Sequence, residues 1–178
     1  ISIEKDRMNS NKGFLRKLLQ VLENHDIFPE HMPTGIDTVS VVVNSSELDG
    51  QREKLTERLV EVVKPDHFEI IDGLALIAVV GRGMRSVKGT ATRVFAALSH
   101  ANINIRMIDQ GSSELNIIIG INAGDFDKAI KVIYDMFILS EEYKMPWEGA
   151  PSCVLPAALY VIVRLVRSEN AMAGGFQL

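Results

Sequence analysis

The stretch Met8–Leu15, MNSNKGFL, resembles a second stretch 76 residues further along the chain, Met84–Ala91, MRSVKGTA. The two copies share methionine, serine, lysine and glycine at identical spacing, and no gap is needed to extend the match from Ile1 to Val43. Flanking pairs are Ile1 with Ile77, Leu22 with Leu98, Ile27 with Ile103, and Gly35 with Gly111. Apolar matches arise easily between elements of equal period, whereas glycines mark turns. The match therefore indicates two copies of one structural unit.

The first copy alternates strand and helix patterns. The predicted elements, in order, are ISIE (1–4), GFLRKLLQVLENH (13–25), DIFPEHMPTG (26–35), IDTVSVVV (36–43), GQREKLTERLVEVV (50–63) and HFEII (67–71). Phe14, Leu18 and Leu22 share one helical face, and the β-branched run after Ile36 is typical of a strand. The prolines in 26–35 predict an edge strand or an irregular one. The order β-α-β-β-α-β is the ferredoxin-like arrangement.

The second copy repeats this order without an obvious sixth element. Its elements are LALIAVVG (74–81), GTATRVFAALSHA (89–101), INIRMIDQG (103–111), ELNIIIGINA (114–123) and DFDKAIKVIYDMF (125–137). The last strand is either missing, supplied by the tail, for instance by LYVIVRLV (159–166), or supplied by residues before Ile1. We therefore predict an α+β protein of two tandem βαββαβ units, with antiparallel sheets and helices on one face. The predicted domains are 1–73 and 74–137, followed by an unassigned tail, 138–178.

Composition narrows the functional classes. The chain has 178 residues, a formal charge of −4 and a single cysteine. Mild acidity argues against a nucleic-acid partner, and one cysteine excludes an internal disulfide and fits a reducing, cytoplasmic compartment.

The apolar run Val154–Val166 is shorter than the roughly 20 residues of a membrane-spanning helix. No histidines show metal-ligand spacing, so no metal site is expected. Because the chain begins with Ile and the charged start ISIEKDRM is unlike a signal peptide, we expect a fragment or a processed chain.

Several stretches together resemble the paired ACT domains at the C-terminus of aspartate kinases. They are MNSNKGFL, PTGIDTVSVVV, GLALIAVVG and NINIRMIDQGSSELNI, within about residues 1–137. The tail from Ile138 resembles nothing in that family. The resemblance implies a parent enzyme that transfers the ATP γ-phosphoryl group to the aspartate side chain, with ATP and Mg in a separate kinase domain. GRGMRSVKG has the wrong spacing for a phosphate-binding loop. We therefore expect a regulatory fragment without catalytic residues or a cofactor of its own.

The resemblance also implies an amino-acid effector bound at an interface between domains, often between two chains. The predicted effector-binding residues are Met8, Asn11, Lys12, Gly13, Phe14, Leu15, Glu30, Thr34, Asp37 and Thr38. Free N–H groups at the start of a helix suit the effector's carboxylate, and Thr34 and Asp37 are candidate acceptors for its ammonium. Glu30 lies where lysine-inhibited members carry an acid, which predicts lysine. In the second copy Arg106 takes this position, so we expect that copy to support pairing.

Alternatives remain open at this stage. Asn9, Ser10 and Asn11 also suit an ordinary helix cap, and Glu30 suits a solvated strand position. Threonine is the nearest rival effector. Two hypotheses do not involve a parent kinase. In one, the chain is an independent ACT pair that controls another protein, and in the other it is a purely structural dimerisation module. Unpaired strand edges predict a homodimer in each case.

Overall fold

Two units, divided between Asp72 and Gly73, make up the computed structural model of the chain. It describes residues 1–81, 84, 88–138 and 159–162. Cys153 and most of the predicted tail lie outside these residues. Each unit is built around its own cluster of buried apolar side chains.

The first unit contains a three-stranded antiparallel sheet and two helices. Its elements are β1 (Ser2–Glu4), α1 (Phe14–Glu23), β2 (Thr38–Ser40), α2 (Arg52–Val63) and β3 (His67–Glu69). The strand order is β2-β1-β3, with Ile3 opposite both Val39 and Phe68.

The predicted strand at 26–35 takes the irregular form. Two isolated bridges, His31 to Val42 and Thr34 to Val39, attach it to the outer side of β2. Pro29 and Pro33 lack the N–H groups that a regular ladder needs. A fourth, irregular strand therefore lies beyond β2, where the ferredoxin-like order expects the second strand.

The core of the first unit lies between its sheet and its helices. Ile3 and Val39 on the sheet, Leu18 on α1, and Leu55 and Leu59 on α2 are all fully buried. Because side chains alternate along a strand, Ile3 reaches the core while Ser2 and Glu4 do not. Each fully buried Leu contributes about 1.5–3 kcal/mol of transfer free energy. This packing holds both helices against one face of the sheet.

The second unit has a complete four-stranded sheet. Its elements are β4 (Leu74–Gly81), α3 (Thr90–His100), β5 (Ile105–Asp109), β6 (Asn116–Asn122), α4 (Phe126–Ile138) and β7 (Leu159–Ile162). All pairs are antiparallel, in the order β5-β6-β4-β7. The strand β7 comes from within LYVIVRLV and pairs with β4. In both units the order is second, third, first, fourth strand, so the predicted fold class is confirmed.

The repeat extends to backbone detail at both ends of the first helix of each unit. Helices α1 and α3 begin 76 positions apart, each after a glycine with positive φ, +80° at Gly13 and +85° at Gly89. Each helix is followed, within three residues of its end, by a residue of positive φ, Asp26 after α1 and Asn102 after α3. The next N–H, of Ile27 or Ile103, then bonds the carbonyl five residues back. This is the Schellman arrangement, which satisfies carbonyls at the helix end.

Substitution of Gly120 in β6 tests how tightly the second sheet is packed. A Cβ at this position would lie 3.0 Å from the Met107 Cβ and 3.2 Å from the Leu74 Cδ1. The Met107 Cβ is fixed to the backbone and cannot swing away. We expect Gly120→Val to lower the free energy of unfolding by about 1–3 kcal/mol, as overpacking does. Gly124→Ala is the control, since a Cβ there meets nothing within 4 Å. Equal denaturation midpoints for both variants would contradict this packing.

Candidate functional site

The loop after β1 is held in place by Asp37. Its carbonyl accepts the Lys5 N–H at 2.8 Å, and its Oδ1 accepts the Met8 N–H at 3.3 Å. A short 3-10 turn follows at Met8–Ser10, and the Phe14 N–H donates to the Asn11 carbonyl at 3.1 Å. The loop therefore leads directly from the Asp37 contact into the first turn of α1.

The start of α1 leaves several backbone donors free. Gly13 caps the helix in the left-handed conformation, and no side chain makes a capping hydrogen bond. Among the described residues, no acceptor receives the N–H groups of Lys12, Gly13, Leu15 or Arg16. The interpretation of Asn9, Ser10 and Asn11 as an ordinary cap is therefore wrong, because their side chains leave these N–H groups unbonded. Free N–H groups and the positive end of the helix dipole together favour an anion.

The turn before β2 carries acceptor groups and is hydrogen-bonded to the loop through Asp37. Gly35 closes this turn by donating its N–H to the Thr38 carbonyl at 2.7 Å. Thr34 and Thr38 are exposed, and Asp37 is half-buried. A carboxylate has about four lone-pair sites, so the Asp37 carboxylate can accept further donors besides the Met8 N–H. The hydrogen bond from the Met8 N–H thus ties the Asp37 carboxylate to the loop that leads to the free N–H groups.

Glu30 lies away from this group within one chain. Its N–H donates to the Val42 carbonyl at 2.8 Å. Val42 is five positions along the chain from Asp37, and an extended chain of that length spans about 16 Å at the usual strand rise. The structure therefore brings Asp37 to the loop, whereas Glu30 pairs with Val42, beyond the other end of β2.

The other predicted residues divide between core and surface. Met8 and Phe14 are buried and anchor the loop to the core, at 5% and 3% exposure. Asn11, Lys12 and Gly13 are exposed, and Leu15 is 37% exposed. Met8 and Phe14 therefore shape the site through its backbone, while the exposed residues border it.

Sequence reasoning missed Asp66, in the turn between α2 and β3. Its Oδ1 accepts the Lys5 Nζ at 2.9 Å and its Oδ2 accepts the Asp6 N–H at 2.7 Å. The hydrogen bond from Lys5, followed by that from Asp6, lowers the pKa of Asp66 below its ordinary value. About 60 positions separate it from the loop, and only the Pro65-Asp66 turn signal marks it in the sequence.

The second unit keeps the left-handed glycine before its first helix but changes the side chains at the corresponding site positions. At the same offset, Ser113 replaces Asp37 and Arg106 replaces Glu30. The Arg106 Nη1 donates to the Asn122 Oδ1 at 3.2 Å. Between Gly81 and Lys88 only Met84 belongs to the described residues, so the equivalent loop is not compared. The acceptor carboxylate beside the loop is thus a feature of the first unit.

Two kinds of feature are absent from the described ranges. No helix there is long and apolar enough to cross a bilayer. No group of three or more His, Cys, Asp or Glu side chains there is arranged to hold a metal ion.

The chain is similar in sequence and in structure to known proteins. Residues 77–137 match the ACT domain family. Aspartokinase 3 of Bacillus subtilis is 39% identical over 138 residues, which cover 77% of this chain and 30% of the relative. The crystal structure of Clostridium acetobutylicum aspartate kinase shares 49% identity at a TM-score of 0.73, over 76% of this chain and 31% of that one.

A third similar protein was solved with ligands. E. coli aspartokinase III in complex with lysine and aspartate shares 25% identity at a TM-score of 0.58, over 76% of this chain and 30% of that one. The chain thus spans about a third of the length of each of these relatives.

Gly13 tests whether the helix start depends on a left-handed residue. With φ at +80°, an alanine here is strained, so we expect Gly13→Ala to cost about 1–2 kcal/mol of stability. Gly13→Asn is the matched control, because asparagine tolerates this conformation better. The free energies of unfolding from urea titration provide the comparison. Equal costs for alanine and asparagine would argue against this conformation.

Proposed function

Because the chain carries the ACT-domain regulatory region of aspartate kinases, we propose that it senses an end-product amino acid, most specifically lysine. The parent enzyme would transfer the ATP γ-phosphoryl group to the side-chain carboxylate of aspartate. ATP and Mg would bind in its kinase domain, and this segment would bind neither. Effector binding here would feed back on that activity in the cytoplasm.

The observation that carries this proposal is that the first unit has both free N–H groups at the start of α1 and the Asp37 carboxylate on the turn that holds the loop. The N–H groups of Lys12, Gly13, Leu15 and Arg16 suit the effector's carboxylate. The Asp37 carboxylate and the Thr34 and Thr38 hydroxyls suit its α-ammonium. Neither end of a free amino acid would then lose its solvation without a replacement partner.

The ε-ammonium of lysine needs a further carboxylate, and we assign this role to Glu30. A buried ammonium without a partner would cost several kcal/mol. Glu30 is hydrogen-bonded to Val42, which is five positions, or about 16 Å of extended chain, from Asp37. A single chain would therefore not offer both carboxylates to one lysine. We therefore place the site between two chains, with the loop and Asp37 from one and Glu30 from its partner. The lysine complex of E. coli aspartokinase III supports an amino-acid effector in this class of protein.

Threonine is the second candidate, and the position of Glu30 favours it. Threonine has no ε-ammonium, so the loop and Asp37 of one chain would satisfy its charges without Glu30. Two other classes lead to different outcomes. An independent ACT pair would bind an amino acid but have no kinase domain in its parent gene. A structural module would dimerise without responding to amino acids.

Regulation would follow from preferential binding to one arrangement of the chains. A ligand shifts a conformational equilibrium only by its difference in affinity for the two states. Coupling free energies of about 1–3 kcal/mol are typical, which corresponds to roughly 5- to 150-fold in affinity. A site completed by two chains provides this difference, because it exists only in the assembled homodimer.

Calorimetric titration of the purified chain with lysine and with threonine tests the proposal. We expect lysine to release heat, to raise the unfolding temperature, and to favour the dimer in sedimentation. Threonine should bind more weakly. If neither amino acid produces heat or a thermal shift, the sensor function is refuted and the structural module is favoured.

Glu30→Gln tests the assignment of the ε-ammonium. Removing this charge should weaken lysine binding by about tenfold or more, because a charge-assisted hydrogen bond is lost. Threonine binding should remain within about twofold. Glu57→Gln is the control, since Glu57 is an exposed position on α2 with the same charge change. Equal losses for lysine and threonine would remove Glu30 from this role.

A further inference from the structure

Asp66 makes three hydrogen bonds to the chain where β1 ends and the loop begins. Its backbone N–H donates to the Glu4 carbonyl at 2.8 Å. Its carboxylate accepts the Lys5 Nζ at 2.9 Å through one oxygen and the Asp6 N–H at 2.7 Å through the other. Both carboxylate oxygens of Asp66 thus bind consecutive residues of one loop.

Two acidic residues from separate turns therefore hold the beginning of this loop. Asp37 binds the N–H groups of Lys5 and Met8, whereas Asp66 binds the Lys5 ammonium and the Asp6 N–H. Between Ser10 and Gly13, the backbone hydrogen bonds to other described residues stay within the loop and the first helical turn. The placement of the free N–H groups relative to Asp37 consequently depends on how the loop is held at its start.

We propose that Asp66 is a positioning residue for the effector-binding loop, and this inference rests on the function proposed above. Asp66 does not contact the effector. It holds Lys5 and Asp6 so that the loop is already in its binding conformation before the amino acid arrives. A loop that is ordered in advance loses less entropy on binding, and the affinity is correspondingly higher.

The chemistry of the contact supports this role. An exposed ion pair alone contributes little to stability, and the Asp66 side chain is 52% exposed. The bond from the Asp6 N–H differs from such a pair, because it joins a carboxylate to a backbone group that cannot move away without moving the loop. Charge-assisted bonds of this kind are about twice as strong as neutral ones. The lowered pKa of Asp66, caused first by Lys5 and then by Asp6, agrees with a stabilised carboxylate.

Substitution of Asp66 in the whole 178-residue chain tests the inference. Asp66→Ala removes both side-chain bonds, while Asp66→Asn retains an oxygen that can accept the Asp6 N–H. Glu61→Ala is the matched control, since it removes an exposed carboxylate paired with Arg58 within α2 and far from the loop in sequence. Each variant is titrated with lysine and threonine by calorimetry. Amide hydrogen exchange of residues 6–16 is measured without ligand, and stability is measured by denaturation.

We expect Asp66→Ala to weaken effector binding about five- to tenfold and to accelerate amide exchange in residues 6–16. Asp66→Asn should recover part of both effects, and Glu61→Ala should change neither. Amide exchange in α2 should stay as in the unchanged chain, which separates local positioning from general destabilisation.

Three results would overturn the inference in distinguishable ways. If the Asp66→Ala variant binds the amino acid as tightly as the Glu61→Ala variant, Asp66 has no positioning role and the proposed function is unaffected. Unchanged amide exchange in residues 6–16 does the same, because the loop is then held without Asp66. If the unchanged chain binds neither amino acid, the proposed function itself fails, and a role for Asp66 in effector binding fails with it.

Discussion

A left-handed glycine ahead of the first helix is the constraint on which this structure depends. Gly13 turns the chain so that α1 starts abruptly, without a side-chain cap. An ordinary Ser or Asn cap would bond one of the N–H groups that are free here. The same glycine therefore determines both the entry angle of a core helix and the presence of donors for an anion. Burial of Phe14 and Leu18 holds that helix start in place.

The two units show how one backbone serves different purposes. Gly89 reproduces the turn at Gly13, and Asn102 reproduces the helix end at Asp26. Side chains diverge where the first unit has its acidic groups, since Ser113 and Arg106 replace Asp37 and Glu30. The carboxylate at the Asp37 position is thus replaced by a hydroxyl in the second unit. Repetition conserves the scaffold, while the charge at these positions differs between the two units.

Polar anchors connect the loop to distant parts of the first unit. Asp37 holds it from the turn before β2, and Asp66 holds it from the turn before β3. Because β2 and β3 are the two neighbours of β1 in the sheet, the loop after β1 is held from both sides. Preorganisation of this kind reduces the entropic cost of binding.

Local patterns were sufficient for much of this architecture. Helical periodicity, β-branched runs and the Lys-Gly repeat predicted the element order, the tandem units and the irregular strand with Pro29 and Pro33, because each is encoded by neighbouring residues. The resemblance to aspartate kinases was likewise detectable in short continuous stretches of the sequence.

Long-range folding decided the rest. The Asp66 carboxylate accepts a hydrogen bond from the Asp6 N–H, 60 positions away in sequence, and no sequence motif at either residue predicts this contact. The separation of Glu30 from Asp37 also follows from pairing, because the Glu30 N–H bonds the Val42 carbonyl, beyond the end of β2 that is farther from Asp37. Contacts between distant segments depend on how sheet and helices pack together, and that packing is a property of the folded chain as a whole.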